Sequence, residues 1–336
     1  MSINLNKINP TKVFDTYWKF AQERQNIFFN KFNSKVELTK DEILSKHKFT
    51  NAYRASDRVS QYLIKNVIYS GDQSIDEVFF RIILFKTFNK IETWETLLKN
   101  LEQISISSFN FKRYDDILNR EKLNKKPIYS GAYIMTSGKS SFGFDKKHRN
   151  HLSLLKLMLK DRLPEKISEA KNLEQVFNLL KSYPTIGDFL AYQYAIDLNY
   201  SNIINFSEMD FVVAGPGAKD GITKCFQDIK SYSFSDIIKM TCDNQNEEFS
   251  RLNIDFKNLW GRPLTLIDCQ NLFCEVDKYS RVAHPEFIGK SGRSRIKQNY
   301  TPKSIEIFFW YPPKWKLNSK IELAYEQREE CIYQSS

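Results

Sequence analysis

The sequence has 336 residues, with 50 Lys and Arg against 40 Asp and Glu and a formal net charge of +10. With 41% hydrophobic and 14% aromatic residues it can bury a full core, which excludes disorder as a general description. A membrane span needs about 20 consecutive apolar residues, and the most apolar run, Val78 to Phe88, is broken by Arg81 and Lys86. The start, Met1-Ser-Ile-Asn-Leu-Asn-Lys, lacks the apolar stretch of a secretory signal, so a cytoplasmic location is expected. The cysteines (Cys225, Cys242, Cys269, Cys274, Cys331) form no CxxC pair, and the histidines (His47, His148, His151, His284) form no HExxH spacing. No metal and no cofactor is expected. The basic balance alone fits a polyanionic partner and a lysine-rich solvated surface equally well.

Along the chain, a helix is expected from Asn9, because Phe14, Tyr17, Trp18, Ala21, Phe28 and Phe32 recur at helical spacing. A second helix is expected over Asp57 to Ile68. Ser74-Ile-Asp-Glu77 reads as a capping box for a third, which Val78, Ile82, Phe85 and Lys86 carry to Phe88. Glu92 to Leu101 makes a fourth, and residues 112–147, rich in Lys, Tyr, Ser and Gly, read as an irregular connection. Helices resume over His151 to Lys160. Asn172-Leu-Glu-Gln175 caps a helix with Leu173, Val176, Phe177 and Leu180 on one face. After Tyr183-Pro184 another runs through Leu190, Ala191, Tyr194, Ala195 and Leu198. The best strand candidate is Ile305 to Trp310. The pattern predicts a mainly α fold in two parts: residues 1–150, an N-terminal helical lobe with a loop-rich insertion, and residues 151–336, a helix-hairpin-helix lobe with an extended basic C-terminal segment.

Lys181-Ser-Tyr-Pro-Thr-Ile-Gly-Asp-Phe-Leu-Ala191 places a Pro and Gly turn between two helical patterns. Ile186-Gly187 followed by Ala191 resembles the hairpin of the DNA base-excision glycosylases, with Thr185 where a first Gly is usual. The resemblance implies that the backbone of Thr185, Ile186 and Gly187 holds a DNA phosphate; by itself the stretch reads equally as an ordinary helix-to-helix turn. In that superfamily a catalytic aspartate follows the hairpin at the start of another helix, and Asp210 is the matching carboxylate here. Its expected role is to stabilise the sugar cation and orient water while the flipped base leaves. An Asp before an apolar run is also an ordinary helix cap. The nucleophilic Lys of bifunctional members is matched by Phe189, which implies a monofunctional enzyme that leaves abasic sites.

Gly215-Pro-Gly-Ala-Lys-Asp-Gly221 is no Walker loop, since GxxxxGK[ST] is absent. Gly215 and Gly217 bring backbone amides close to a phosphate with Lys219 beside them, or they form the tight turn that starts a helix over Ile222 to Ile229.

Five blocks in order carry a wider resemblance: Phe49 to Arg58, Arg81 to Trp94, Tyr183 to Gln193, Asp210 to Gly221 and Leu266 to Tyr279. Together they resemble the α-glutamyl/putrescinyl thymine pyrophosphorylases, a base-hypermodification helical-domain family. The resemblance implies a glycosylase-like helical domain acting on double-stranded phage DNA that carries modified bases, with no obligate protein partner. Without a P-loop kinase in the sequence, the branch expected is an anti-phage DNA glycosylase that excises glucosylated hydroxymethylcytosine. The alternatives are a transferase or pyrophosphorylase acting on activated hydroxymethyluracil in DNA, and a binding module without chemistry. Carried onto matching positions, the resemblance implies a base pocket of Asn51, Tyr53, Arg54, Asp57, Gln193, Glu275 and Lys278. Arg54 with Asp57 fits an intrahelical pair equally well, and Glu275 with Lys278 fits a solvated helix face.

Arg281, Lys290, Arg293, Arg295, Lys297 and Lys303 cluster late in the chain, with Glu286 the one acid among them. Gly289, Gly292 and several serines make this a flexible basic loop, in which Arg293, Arg295 and Lys297 are expected to track a DNA backbone. Phe309, Trp310, Tyr311 and Trp315 are candidates for base stacking or for packing.

Overall fold

The structure, a computed structural model, describes residues 8–131, 135–229, 231–302 and 307–335, with side chains to residue 329. Among the described residues the fold is mainly helical, with isolated bridges and no strand. The helices are α1 (Lys12–Phe32), α2 (Glu42–Lys46), α3 (Arg58–Tyr62), α4 (Ile75–Phe88), α5 (Ile91–Asn100), α6 (Phe111–Leu123), α7 (Lys139–Phe142), α8 (Lys147–Lys160), α9 (Leu163–Ser168), α10 (Leu173–Lys181), α11 (Asp188–Asn199), α12 (Pro216–Cys225), α13 (Phe234–Asp243), α14 (Gln245–Arg251), α15 (Leu266–Ala283) and α16 (Asn318–Ser335). They form two compact units, residues 1–57 with 208–336, and residues 58–207. The chain therefore does not part near residue 150.

The discontinuous unit is built on α1, α12 and α15. Thr11 caps α1 by accepting the Val13 amide at 3.1 Å. The apolar positions that predict α1 are buried: Phe14 packs on Phe226 and Tyr17 on Phe273, with ring centroids 4.8 and 4.5 Å apart. Helices α12 and α15 cross at Gly217 and Gly221, one turn apart. A Cβ at Gly217 would collide with the Cys274 sulfur, and one at Gly221 with the Phe273 carbonyl. These glycines permit close helix packing, and the helix they serve is Pro216–Cys225 instead of Ile222 to Ile229. The same crossing holds a buried pair, Lys224 Nζ to Asp277 Oδ1 at 2.9 Å.

The expected extended tail ends in α16, which the sequence pattern does not announce. Ile307 to Trp310 form no strand; Tyr325 OH holds their backbone, accepting from the Phe309 amide at 2.9 Å and donating to the Ile307 carbonyl at 3.2 Å. Residues 1–7, Lys303 and Ile305 lie outside the described residues.

In the continuous unit, the helix expected over Asp57 to Ile68 is α3 followed by a π-helical turn over Leu63–Ile68. The capping box at Ser74 does not form. Asp72 accepts the Ser74 amide at 2.7 Å, while Glu77 accepts the Ile106 amide at 3.0 Å. Helices α6 and α7 lie in the stretch expected to be irregular. α6 buries only Tyr114, Asp115, Ile117 and Leu118, a stripe too narrow to stand out among its charges. Asp115 then receives His148 at 2.7 Å and both arms of Arg149, two residues on α8, which starts at Lys147, four residues before His151. Lys86 on α4 meets Asp197 on α11 at 3.1 Å, both buried, and donates to Asn89 at 2.9 Å.

Two substitutions test this packing by urea denaturation. Asp197→Ala leaves the Lys86 ammonium buried without that carboxylate and is expected to cost about 3–5 kcal/mol. Gly221→Ala forces α12 off α15 and is expected to cost about 1–3 kcal/mol. A loss below about 0.5 kcal/mol in either would contradict the contact assigned to it.

Candidate functional site

Residues 50–57 run through the discontinuous unit without forming an α-helix, turning over Arg54–Ser56. Backbone groups in such a segment need partners when water is excluded. Arg24 on α1 supplies two, donating from Nε to the Thr50 carbonyl at 2.8 Å and from Nη2 to Asn51 Oδ1 at 3.1 Å. Glu275 on α15 accepts the Thr50 amide at 3.0 Å and Lys278 Nζ at 2.7 Å. Asp57 accepts the Asn51 amide at 2.8 Å, and Asn51 donates to the Ser56 carbonyl at 2.8 Å. Asp268 accepts the Arg54 amide at 2.8 Å. The structure thus brings Asn51, Tyr53, Arg54, Asp57, Glu275 and Lys278 into one unit and ties most of them into one polar seam. Glu275 is buried, so its pair with Lys278 is no free solvated face. Gln193 is buried on α11 in the other unit.

Burial pushes Asp57 up to about 7; the Asn51 amide opposes the shift and Glu275 adds to it. Burial also raises Asp268 to about 6 against the Arg54 and Thr265 amides, with Glu208 adding to the rise. Arg24 is lowered by burial, and the surrounding carboxylates, Asp57 first, oppose this. A partly accessible carboxyl that titrates near neutral pH is suited to taking and returning a proton.

A second polar group continues from Asp268. Thr265 caps α15, its amide and hydroxyl both donating to Asp268 Oδ2 at 3.0 Å. The Thr265 hydroxyl also lies 3.3 Å from Glu208 Oε2, and Glu208 Oε1 pairs with Arg262 at 3.0 Å. Tyr53 OH donates to the Arg262 carbonyl at 2.6 Å. The Arg262 guanidinium lies 3.7 Å above the Trp315 ring, whose plane is also stacked with Tyr311. Tyr311 and Trp315 are therefore packing residues. Nearby Lys314 is pushed down to about 8 by burial, with Glu208 opposing.

Glu208 is a buried carboxylate that the sequence does not single out. Asp210, two residues on, is exposed in a turn, and the next helix begins only at Pro216. No spacing rule separates the two; only the partners Arg262 and Thr265 do. Among the described residues, no three His, Cys, Asp or Glu side chains gather where they would hold a metal ion.

The hairpin expected at residues 181–191 is present. α10 and α11 flank a turn in which Thr185 adopts φ +70°, the left-handed conformation for which glycine is usual at that place. Gly187 is exposed and begins α11 without a side-chain cap, and Ile186 is buried. Lys219, Arg293, Arg295 and Lys297 are exposed in the discontinuous unit, where Gly215 is buried.

A helical fold with a hairpin and a buried polar seam specifies no reaction by itself, and the class comes from sequence comparison. The model of the family described as 5-hmdU DNA kinase, helical domain, matches residues 11–289, and the chain belongs to that family. Over 288 residues it is 25% identical to a 5-hmdU DNA kinase of Bacillus phage SP10, which covers 80% of this chain and 45% of the phage protein. The chain thus spans less than half the length of the relative it matches. No solved structure matches it. The resemblance to a base-hypermodification helical family is sustained at that level, as membership of a family that modifies phage DNA bases.

The expectation of a monofunctional, antiviral DNA glycosylase is overturned by the same comparison, which leads to a kinase, a transferase, and not to a hydrolase of N-glycosidic bonds. The hairpin misleads because a helix-turn-helix junction serves many backbones and specifies no reaction. The role expected of Asp210, steadying a sugar cation, belongs to base excision and goes with it. No helix among the described residues is long and apolar enough to cross a membrane.

The seam has a pH signature. Asp57 has its folded pKa raised to about 7, so the folded state holds the proton more tightly and stability falls as pH rises from the ordinary Asp range toward 7. Asp57→Asn keeps an oxygen for the Asn51 amide and cannot ionise. Its stability relative to the parent is expected to rise between pH 4 and pH 8 (about one unit beyond the titration) in paired denaturation curves. A constant difference across that range would contradict burial of the ionised form.

Proposed function

We propose that the chain is a transferase of DNA base hypermodification, acting at the 5-hydroxymethyl group of a modified deoxyuridine in DNA. The observation that carries this is the family match over residues 11–289, which encloses the seam of Arg24, Asn51, Asp57 and Glu275. The relative's name supplies the substrate class, a 5-hydroxymethyldeoxyuridine in DNA.

The 336 residues contain no GxxxxGK[ST] loop to grip a nucleoside triphosphate. The reaction proposed for these residues is displacement at a base whose hydroxymethyl oxygen already bears a phosphate or pyrophosphate. An amine nitrogen bonds to the methylene carbon, and the carbon–oxygen bond breaks with its electron pair leaving on the phosphate. The amine proton passes to Asp57, whose pKa of about 7 matches it to that task near neutral pH. The Asn51 amide carbonyl, fixed by Arg24, and the Lys278 ammonium, fixed by Glu275, orient the pyrimidine and the leaving phosphate.

The test is nucleoside mass spectrometry after incubation with two DNAs. One carries 5-hydroxymethyldeoxyuridine and is given ATP and magnesium; the other carries the pyrophosphorylated base and is given a diamine or an amino acid. An amine adduct on the second DNA is expected, its rate rising with pH through about 7. Asp57→Asn should slow it by about 100-fold or more. A phosphorylated base on the first DNA would move the reaction to phosphoryl transfer. Free base released from either would contradict transfer altogether.

A further inference from the structure

The basic segment near the C-terminal end, expected to be flexible, is tied down along its length. At one end the buried Asp220 carboxylate on α12 accepts the Ser291 amide at 3.1 Å, the Ser291 hydroxyl, and Arg293 Nη2 at 3.0 Å. Gly289 packs against the same carboxylate, where a Cβ would come within 3.0 Å, and Gly292 turns the loop at φ +65°. In the middle, Arg281, held by Asp277 at 2.5 Å, donates to the Arg295 carbonyl at 3.0 Å. At the other end, the Lys48 amide donates to the Gln298 carbonyl and the Tyr300 amide to the Lys46 carbonyl, both at 3.0 Å.

These ties divide the cluster in two. Arg281 and part of Arg293 are spent on carboxylates inside the fold. Arg295 and Lys297 project from a pinned backbone into solvent, and no ion pair reaches them among the described residues. Lys290 and Lys219 extend the charged face, since both ammonium groups lie over the Phe234 ring, at 5.2 and 5.9 Å from its centre. Side chains ordered in a row by their backbone lose less entropy on meeting a regular row of charges than side chains on a mobile loop.

We propose that residues 289–297 form a preorganised cationic arm that lies along the phosphate backbone of duplex DNA, with Asp220 as its positioning residue. The proposal rests on DNA being the substrate and is independent of the transfer chemistry. Binding is therefore measured on unmodified duplex, where no transfer can occur, so either can fail alone.

The full chain is titrated with a fluorescent duplex at several salt concentrations. Each phosphate contact contributes about 0.9 to the slope of log K against log salt. Arg295→Ala with Lys297→Ala is expected to lower the slope by about 1.8, so the variant loses about tenfold less affinity than the parent between about 50 and about 200 mM salt. The control Lys160→Ala with Lys171→Ala removes the same charge from other exposed positions and should leave the slope unchanged. Asp220→Asn should weaken binding and speed amide hydrogen exchange over 289–297. An unchanged slope in the arm variant, an equal loss in the control, or tighter binding by Asp220→Asn would overturn the proposal.

Discussion

A stretch of non-α-helical backbone buried in a helical unit cannot leave its amides and carbonyls unpaired, and that constraint organises the discontinuous unit around residues 50–57. Arg24 comes from α1, Glu275 and Asp268 from α15, and Asp57 from the end of the segment itself. Each is a charged group brought in from water to satisfy backbone or amide groups. The desolvation this entails is what moves Asp57 toward neutral pH. In the proposed reaction one contact serves both ends: the carboxyl that closes the turn on the Asn51 amide would also accept the proton.

The chemistry of group transfer at a pyrimidine substituent needs little more than this from the protein. In the proposed reaction the electrophile and leaving group would belong to the DNA base, and the chain would supply a base of suitable pKa, fixed donors and a hold on the backbone. The net charge of +10 contributes through position more than number. Arg149, Arg281 and Arg293 are engaged by Asp115, Asp277 and Asp220, which makes them part of the fold's internal wiring. On the pinned segment, Arg295 and Lys297 face solvent outside any ion pair among the described residues.

Much of the helical architecture was legible in the sequence. Phe14 to Phe32 on α1, and the Asn172 cap with Leu173, Val176, Phe177 and Leu180 on α10, follow from periodicity and capping, which are local. Thr185 was recognisable as a glycine-like position, and its backbone bears that out. What escaped was tertiary. The Ser74 capping box does not close because Asp72 takes the Ser74 amide and Glu77 is engaged by Ser105 and Ile106. Gly217 looks like a phosphate-loop glycine until α15 is seen against it. Of the seam, Asn51, Asp57 and Glu275 were marked by resemblance, but Arg24 and Asp268 were not, since nothing in their neighbourhoods announces a partner far along the chain. The reaction class was misjudged for a related reason: the hairpin is a short, reusable device, whereas the family match integrates most of the chain.

The measurement that bears most directly on this account is the ionisation of Asp57 in the folded protein. Side-chain carboxyl carbon NMR across a pH series, with the resonance assigned by its loss in Asp57→Asn, gives the pKa without any assumption about substrate. A midpoint near 7 is predicted, set by burial within the seam. A midpoint near the unperturbed value of about 4 would mean that the carboxylate is solvated, and would remove both the buried seam and the proton acceptor built on it.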